Sequence, residues 1–210
     1  EANDTAREYV EAKIRDMVND PALADELIPT DHPIGTKRIV TDSGYFTTFN
    51  RDNVTLVNLR KTPIETIVPT GIDTSGEHFD LDVIVYATGF DAMTGTLSRI
   101  DIRGRAGRTL LDEWSAGPRT YLGLTANGFP NLFMTTGAGS PSVLANMVLG
   151  AEQHVDWISA CIGYVDAHGG SAIEATEQSV DDWVAECNEK AAGTLFPTAN
   201  SWYMGANIPG

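Results

Sequence analysis

The chain has 210 residues, 42% of them hydrophobic, which is enough for one globular domain of ordinary size or for pieces of two. Its formal net charge of -15, from 29 acidic and 14 basic residues, disfavours nucleic-acid or anionic-membrane binding, because phosphates need clustered lysine and arginine. The spacing of Cys161 and Cys187 does not fit zinc, and no metal site is predicted. No apolar run reaches the roughly 18 residues of a membrane span. We therefore expect a cytoplasmic protein, and the N-terminus, which has neither a signal sequence nor a methionine, indicates a chain that begins mid-gene.

The first predicted elements are a helix and a connection. Thr5 and Glu8 have the spacing of a capping box, and apolar residues then recur at helical period up to a predicted end near Asn19. Residues 20–36 are rich in proline, aspartate and glycine. This composition predicts a connection without regular structure.

After residues 37–40, to which the connection leads, the pattern changes from helical to strand-like. Short β-rich runs separated by turn residues predict strands at residues 54–58, 64–68 and 78–81. Residues 83–87 are continuously apolar and precede Thr88 and Gly89, as expected of a buried strand of a parallel sheet whose carboxyl end faces a ligand. Residues 91–140 are predicted to alternate short strands with glycine and proline turns.

Two helices are predicted in the last third of the chain. Apolar residues that recur every three or four positions over residues 143–165 predict a long helix that stops before residues 169–170, which are both glycine. A second helix is predicted over residues 179–193, and residues 196–210, which have no period, are predicted to be a loop. The inner face of the second helix is predicted to carry three residues, Trp183, Val184 and Cys187.

Several sequence motifs of catalysis and nucleotide binding are absent from the chain. It has no serine-hydrolase elbow, no P-loop and no G-x-G-x-x-G turn, so any dinucleotide site must be completed elsewhere. Glu152 and His154 lie two residues apart on the long helix and make a poor metal pair. The four histidines lie far apart and are interpreted as structural or solvated; they are His32, His78, His154 and His168.

Four stretches of the chain carry a family resemblance when they are taken in their order and spacing. They are Gly-Thr-Lys-Arg at 35–38, Ala-Thr-Gly-Phe-Asp at 87–91, the run 117–131 that opens Gly-Pro-Arg-Thr-Tyr-Leu-Gly, and Ser-Trp-Tyr-Met-Gly-Ala-Asn-Ile-Pro-Gly at 201–210. Together they resemble the type I Baeyer-Villiger monooxygenases, most closely the phenylacetone monooxygenase branch. The resemblance covers essentially the whole chain but only the second part of the family's usual length.

The resemblance implies an α/β fold: the C-terminal portion of a flavoprotein monooxygenase with two dinucleotide-binding domains, for FAD and NADP, each an incomplete Rossmann-type domain here. It assigns residues 1–36 to a helical segment and connection, 37–86 to the closing strands of the NADP-binding domain, and 87–210 to the C-terminal part of the FAD-binding domain. A mobile loop is expected near 196–210. The isolated chain is expected to be inactive without the missing N-terminal half of the enzyme.

The implied reaction converts ketones to esters or lactones with NADPH and O2: NADPH reduces FAD, the reduced flavin takes up O2, and the resulting peroxide attacks the ketone carbonyl. Arg38 matches the family's catalytic arginine, whose guanidinium stays charged when it is partly desolvated. Lys37 matches a residue that contacts the 2′-phosphate of NADPH. Trp202 matches a tryptophan that covers the NADP cofactor from water.

The resemblance also implies further contacts. The remaining cofactor-binding residues are Thr88, Gly89, Asn146 and Met147, and Met147 also borders the ketone pocket formed by Ile39, Ser142, Val143 and Leu144. Residues 140–147 resemble the aryl-ketone branch, which suggests a bulky or aromatic ketone. Two alternatives stay open, namely an N- or S-oxygenating flavoprotein and a non-catalytic fragment that requires its N-terminal half.

Overall fold

The computed structural model describes residues 2–140 and 145–206. The chain divides into two compact units, Glu1–Gly35 with Ile39–Gly89 and Thr36–Arg38 with Phe90–Gly210. The first unit contains helices α1 (Ala2–Met17), α2 (Pro21–Leu27) and α3 (Tyr45–Thr48) and strands β1 (Ile64–Val68), β2 (Gly71–Thr74) and β3 (His78–Asp80). The second contains α4 (Gly95–Ser98), α5 (Leu110–Glu113), α6 (Met147–Ala167) and α7 (Glu177–Ala192), with 3-10 turns at Arg105–Gly107, Phe196–Thr198 and Trp202–Met204.

The first predicted helix is confirmed, although its start is not. Helix α1 already includes Thr5 and ends at Met17, so the predicted capping box at Thr5 is wrong. The predicted connection at 20–36 also contains a helix, α2. The Asp20 side chain accepts the N–H of Ala22 at 2.9 Å and a proline follows at the first helical position, and these are two strong helix-start signals that the loop-like composition hid.

A small apolar core holds α1, α2 and α3 together. Its fully buried members are Ile14, Val18, Ala24 and Ile28, and Leu23, Leu27 and Phe46 pack against them. Short helices such as α2 and α3 are marginal in isolation, so this packing supplies most of their stability.

The described residues form one sheet, three antiparallel strands in the order β1-β2-β3. Strands β1 and β3 confirm the runs predicted at 64–68 and 78–81, and β2 was not predicted. The strand predicted at 54–58 is wrong, because these residues, all of them described, form no strand. A β-rich composition favours a strand only where a neighbouring strand is in place to pair with it.

The apolar run at 83–87 is a further correction. These residues are all described and form neither a strand nor a buried element: Val83 is 75% and Val85 82% exposed. A parallel strand is stabilised by the strands and helices that cover it on both faces. No described segment of this chain pairs with residues 83–87, so the run has nothing to bury against.

The second unit has its own apolar core. The core consists of Leu110, Trp114, Ala126, Phe129 and Met134, with Leu97, Ile102 and Leu132 packed against it.

The short strands predicted over 91–140, all described residues, are reduced to two isolated bridges, and two short helices, α4 and α5, occur instead. The start of α5 could be predicted from the sequence, because threonine is a favoured N-cap residue and the Thr109 side chain accepts the N–H of Asp112.

The two long predicted helices are confirmed, with their starts set by caps. Helix α6 begins at Met147 because the side chain of Asn146 accepts the N–H groups of Val148 and Leu149. The predicted start at residue 143 lies outside the described residues. Helix α7 begins two residues before the predicted start, since Thr176 caps it. Of its inner face, Trp183, Val184 and Cys187 are half-buried, and Val180, which was not predicted, is the most buried.

Two glycine substitutions should have opposite effects on stability. A Cβ at Gly71, whose φ is +158°, would lie 1.8 Å from the backbone oxygen of Phe79 on the paired strand. We expect Gly71→Ala to lower the free energy of unfolding by on the order of 2 kcal/mol from strain alone. Gly163, inside α6, has open space around it, and Gly163→Ala should raise that free energy by about 0.5–1 kcal/mol. Urea titrations of both variants check this, and equal midpoints would contradict it.

Candidate active site

A cleft of about 530 Å³ lies in the second unit and brings together three separate parts of the chain. Its lining residues are Arg38, Ala145, Asn146, Met147, Trp202 and Tyr203. They come from the short segment Thr36–Arg38, from the start of α6, and from the last 3-10 turn. Four residues that the family resemblance predicted for the site therefore share one cleft: Arg38, Asn146, Met147 and Trp202.

Positive charge converges on this cleft although the chain as a whole carries a net charge of -15. The side chain of Arg38 is exposed, and Thr36, two residues before it, is buried and fixes the segment. The amino end of α6, a helix of 21 residues, lines the same cleft and adds the partial positive charge of the helix dipole. The cleft is therefore suited to an anionic ligand.

Trp202 is carried by a compact hydrogen-bonded turn. Ser201 is completely buried, its hydroxyl accepts the N–H of Tyr203 at 3.3 Å, and its carbonyl accepts the N–H groups of Met204 and Ala206. Gly205 closes the turn in the left-handed conformation, with φ +77°. The turn presents the indole of Trp202, which is 36% exposed, at the cleft.

Tyr203 was not predicted as a site residue, and it borders two cavities. Besides the cleft it lines a second cavity of about 240 Å³, whose other walls include Trp183, Val184 and Cys187 of α7. Its ring meets that of Trp202 edge-to-face at 4.2 Å. Its hydroxyl is buried without a hydrogen-bond partner among the described residues. The signal available in the sequence was its position next to Trp202.

The other predicted site residues are distributed as follows. Lys37 is half-buried beside Arg38 and does not line the cleft. Ile39, Thr88 and Gly89 belong to the first unit and are exposed, and the φ of +83° at Gly89 is a conformation that favours glycine. Ser142, Val143 and Leu144 lie outside the described residues. The roles of all these residues stay predictions.

The histidines have the structural and solvated roles that were predicted. His154 is 4% exposed, and its Nδ1 accepts the N–H of Thr136 at 3.0 Å. The other three lie beside local partners: His32 beside Asp31, His78 beside Asp73 and Asp80, and His168 stacked on Tyr164. Among the described residues no group of histidine, cysteine or carboxylate side chains is arranged to hold a metal ion.

Both cysteines are free, half-buried thiols. Burial raises the pKa of Cys161, and burial together with the neighbouring Glu186 raises the pKa of Cys187. Thiols with a raised pKa are poor nucleophiles near neutral pH. Neither cysteine is among the residues that line the cleft.

The pH dependence of the β2-β3 hairpin can be predicted from His78. Hydrogen bonds first to Asp73 and then to Asp80 raise the pKa of His78 above its ordinary value of 6.5. The protonated imidazole thus stabilises the hairpin fully below pH 6.5, and this stabilisation is lost as the pH rises through the raised pKa. An NMR titration of His78 should give a midpoint above 6.5, and Asp73→Asn should lower the midpoint more than Asp80→Asn. Equal midpoints in all three proteins would contradict the assignment.

Comparison with known proteins identifies the family. No family model matches the chain. The chain is 43% identical over 204 residues to 2-oxo-Δ(3)-4,5,5-trimethylcyclopentenylacetyl-CoA monooxygenase of Pseudomonas putida, and 42% identical over 211 residues to cyclohexanone 1,2-monooxygenase of an Acinetobacter species. These matches cover 97% and 100% of this chain but only 37% and 38% of the relatives.

Solved structures give the same result. An oxidised steroid monooxygenase bound to NADP matches with a TM-score of 0.91 and 62% identity over 97% of this chain and 39% of that one. The chain belongs to the type I Baeyer-Villiger monooxygenases. The NADP⁺-bound cyclohexanone monooxygenase of Rhodococcus sp. Phi1 superposes on the whole chain with a TM-score of 0.93 and 39% identity, and again only 39% of it is covered.

For this Baeyer-Villiger monooxygenase chain the predicted fold is confirmed: it is a C-terminal portion of a two-cofactor flavoprotein. It spans less than two fifths of the length of its relatives. Among the described residues, no helix combines the length and the hydrophobicity of a membrane span.

Proposed function

We propose that the protein containing this chain oxygenates ketones to esters or lactones with NADPH and O2, and that its N-terminal half completes the FAD and NADP sites. The observation that carries the proposal is the convergence of Arg38, the amino end of α6 and Trp202 on one cleft. The chain is 42–44% identical to relatives named cyclohexanone 1,2-monooxygenase and acetone monooxygenase. Because it covers 38–40% of those relatives, the activity is assigned to the whole protein.

The residues of the cleft fit an anionic dinucleotide cofactor. A guanidinium and a helix amino end both favour phosphate or other negatively charged groups. Apolar Met147 and the indole of Trp202 offer flat or adaptable surfaces for a ring system. The FAD, when bound, carries electrons from NADPH to O2, and structures similar to this chain were determined with FAD and NADP.

Arg38 is proposed as the catalytic residue. Attack on a ketone carbonyl places negative charge on oxygen, and a preorganised cation beside that oxygen stabilises the charge as it develops. An arginine fits this task better than a lysine, since its guanidinium is always protonated and can donate two parallel hydrogen bonds. Arg38 is exposed and lines the cleft.

The neighbouring residues are proposed to bind and enclose the cofactors and the ketone. Trp202, on its hydrogen-bonded turn, covers NADP and excludes water, with Tyr203 supporting its ring. Lys37 binds the 2′-phosphate of NADPH. The cofactor contacts of Thr88, Gly89, Asn146 and Met147, and the ketone pocket formed by Ile39, Ser142, Val143 and Leu144, belong to the same proposal.

The domain assignment is proposed on the same basis. Residues 37–86 close the NADP-binding domain, and residues 87–210 complete the FAD-binding domain, with the segment near 196–210 as the mobile loop. Within its described part, residues 196–206, the backbone hydrogen bonds of the two 3-10 turns are local ones, which suits a loop that closes over a cofactor.

A bulky ketone is the proposed substrate class. The Ser-Pro-Ser-Val-Leu-Ala-Asn-Met stretch at 140–147 supports this, as does the 62% identity to a steroid monooxygenase. A relative from a Gordonia species, 44% identical over the whole chain, is named acetone monooxygenase, after a small ketone. A substrate panel must therefore include acetone beside bulky ketones.

Replacing Arg38 tests the proposed chemistry in the full-length protein. Arg38→Ala should lower the rate of ester formation by about 10²- to 10³-fold while FAD stays bound, because one preorganised donor is lost. Arg38→Lys keeps the positive charge but lacks the planar guanidinium. Its rate of ester formation should therefore lie between those of the wild type and Arg38→Ala. Arg103→Ala, which removes an exposed arginine paired with Asp101, is the matched control and should be as active as the wild type. Undiminished ester formation by Arg38→Ala would refute the assignment.

Lys37→Ala tests the proposed nucleotide preference. Loss of a charge-assisted contact to the 2′-phosphate should raise the KM for NADPH roughly tenfold or more. The KM for NADH, which has no 2′-phosphate, should not change. Steady-state kinetics with both nucleotides measure this, and parallel increases for NADPH and NADH would contradict it.

A second candidate function is N-oxygenation. Phenazine N-monooxygenase of Lysobacter antibioticus is 40% identical over the whole chain. Offering the full-length protein a ketone and an aromatic amine or N-heterocycle side by side separates the two, because esters and N-oxides differ in mass and retention. A purified 210-residue chain that shows a flavin spectrum would in turn argue against a non-catalytic fragment.

A further inference from the structure

The Trp202 turn, residues 201–206, borders two cavities of the second unit. Trp202 lines the cleft together with Arg38, whereas Met204 and Gly205 line the second cavity together with residues of α7. Tyr203 is the residue that the linings of both cavities share. A change in the position of this one residue therefore affects the shape of the cleft and of the second cavity.

The ring of Tyr203 has two aromatic neighbours. Its centroid is 4.2 Å from that of Trp202, with the two rings at 77°, and 5.8 Å from that of Phe196. Phe196 begins the 3-10 turn that follows α7 and contacts it. Aromatic pairs at such distances attract each other beyond the burial of their surface. The Tyr203 ring thus links the indole at the cleft to the part of the unit formed by α7.

The hydroxyl of Tyr203 opposes this packing. It is buried, and among the described residues it has no hydrogen-bond partner. A buried tyrosine hydroxyl usually has a partner, and leaving it without one costs free energy because its hydrogen bonds to water are lost. Since the oxygen atom is closed to solvent, a ligand in the cleft cannot supply the missing partner unless the turn moves.

The backbone of the turn is bonded mainly to itself. Its backbone hydrogen bonds join residues 201–206 to one another, and among the described residues a single one leaves the turn, from the N–H of Ser201 to the carbonyl of Ala199. The turn can therefore be displaced without breaking the hydrogen bonds of the neighbouring helices. Its position depends on side-chain packing, namely that of the buried Ser201 and that of the Tyr203 ring.

We infer that Tyr203 is a positioning residue for Trp202: its ring holds the indole at the cleft, and its hydroxyl limits how firmly the indole is held. Any displaced position of the turn that hydrates the hydroxyl is relieved of the cost of burying it. Trp202 is proposed to cover NADP, and a cover of this kind has to open before the cofactor leaves. The inference rests on the proposed function and deepens it, since it assigns the opening of the cover to one side chain.

Two substitutions at this position should act in opposite directions in the full-length protein. Tyr203→Phe keeps the ring and removes the hydroxyl, so the turn should be held more firmly than in the wild type. Tyr203→Leu removes the aromatic contacts to Trp202 and Phe196, so the turn should be held less firmly. A tyrosine whose hydroxyl stabilised the turn would instead give a loss in both variants.

Amide hydrogen exchange without NADP⁺ measures how firmly the turn is held. The N–H groups of residues 203–206 are all hydrogen-bonded within the turn. Their exchange should slow by about fivefold to a hundredfold in Tyr203→Phe, the range that corresponds to the cost of one unpartnered buried hydroxyl, and it should become faster in Tyr203→Leu. Tyr164→Phe is the matched control and should exchange like the wild type, because Tyr164 lies on α6 and is 61% exposed.

The release of NADP⁺ measures what the turn does at the cleft. Stopped-flow displacement of bound NADP⁺ should give a dissociation rate about fivefold or more below that of the wild type in Tyr203→Phe, and above it in Tyr203→Leu. The effect of Tyr203→Phe on this rate should vanish in the Trp202→Ala background, because Tyr203 acts on NADP⁺ through the indole. An effect on the general stability of the fold would persist in that background.

The outcomes distinguish this inference from the proposed function. If the wild type binds no NADP⁺, the proposed function fails, and the exchange of the turn alone decides on Tyr203. If the wild type binds NADP⁺, and Tyr203→Phe exchanges or releases NADP⁺ as fast as the wild type, the positioning inference is overturned. The same change in Tyr164→Phe, or an effect of Tyr203→Phe that persists in the Trp202→Ala background, would also overturn it.

Discussion

The site depends on concentrating positive charge in a chain that is otherwise strongly acidic. With a net charge of -15, an anionic ligand is repelled by most of the surface, and only a local field can overcome this. Arg38 and the amino end of α6 supply that field at one cleft. The side chain of Asn146 starts the helix there, so the helix cap and the binding site are the same structural feature.

Elements whose stability is local could be predicted from the sequence. Helices α6 and α7 were predicted from their apolar period, and their starts are set by the caps Asn146 and Thr176, which the periodicity does not show. The strands predicted at 83–87 and 54–58 are wrong, because a strand is stabilised by the strands that pair with it. The exposed apolar run at 83–87 agrees with a chain that spans less than two fifths of its relatives.

The residues of the candidate site likewise divide into those that could be predicted from the sequence and those that could not. Arg38, Asn146, Met147 and Trp202 could be predicted because the family resemblance assigns them roles, and the fold brings them to one cleft. Tyr203 stands in the same motif as Trp202, but its position between two cavities follows from tertiary packing and could not be predicted. The hydrogen bonds of three side chains to the backbone of residues 136–139 also could not be predicted, because they join residues 18 to 44 positions apart; the side chains are those of His154, Thr120 and Trp183.

Helix α6 connects the positively charged cleft at its amino end to the backbone at Thr136, which is bound by His154. Asn146 and Met147 lie at its amino end, and His154 lies seven residues after Met147, about 10 Å further along the axis at the helical rise per residue. A helix is stiff over that distance, so a displacement of its amino end also moves the imidazole that holds Thr136. The amino end of α6 at the cleft and the backbone at Thr136 are thus fixed to one rigid element.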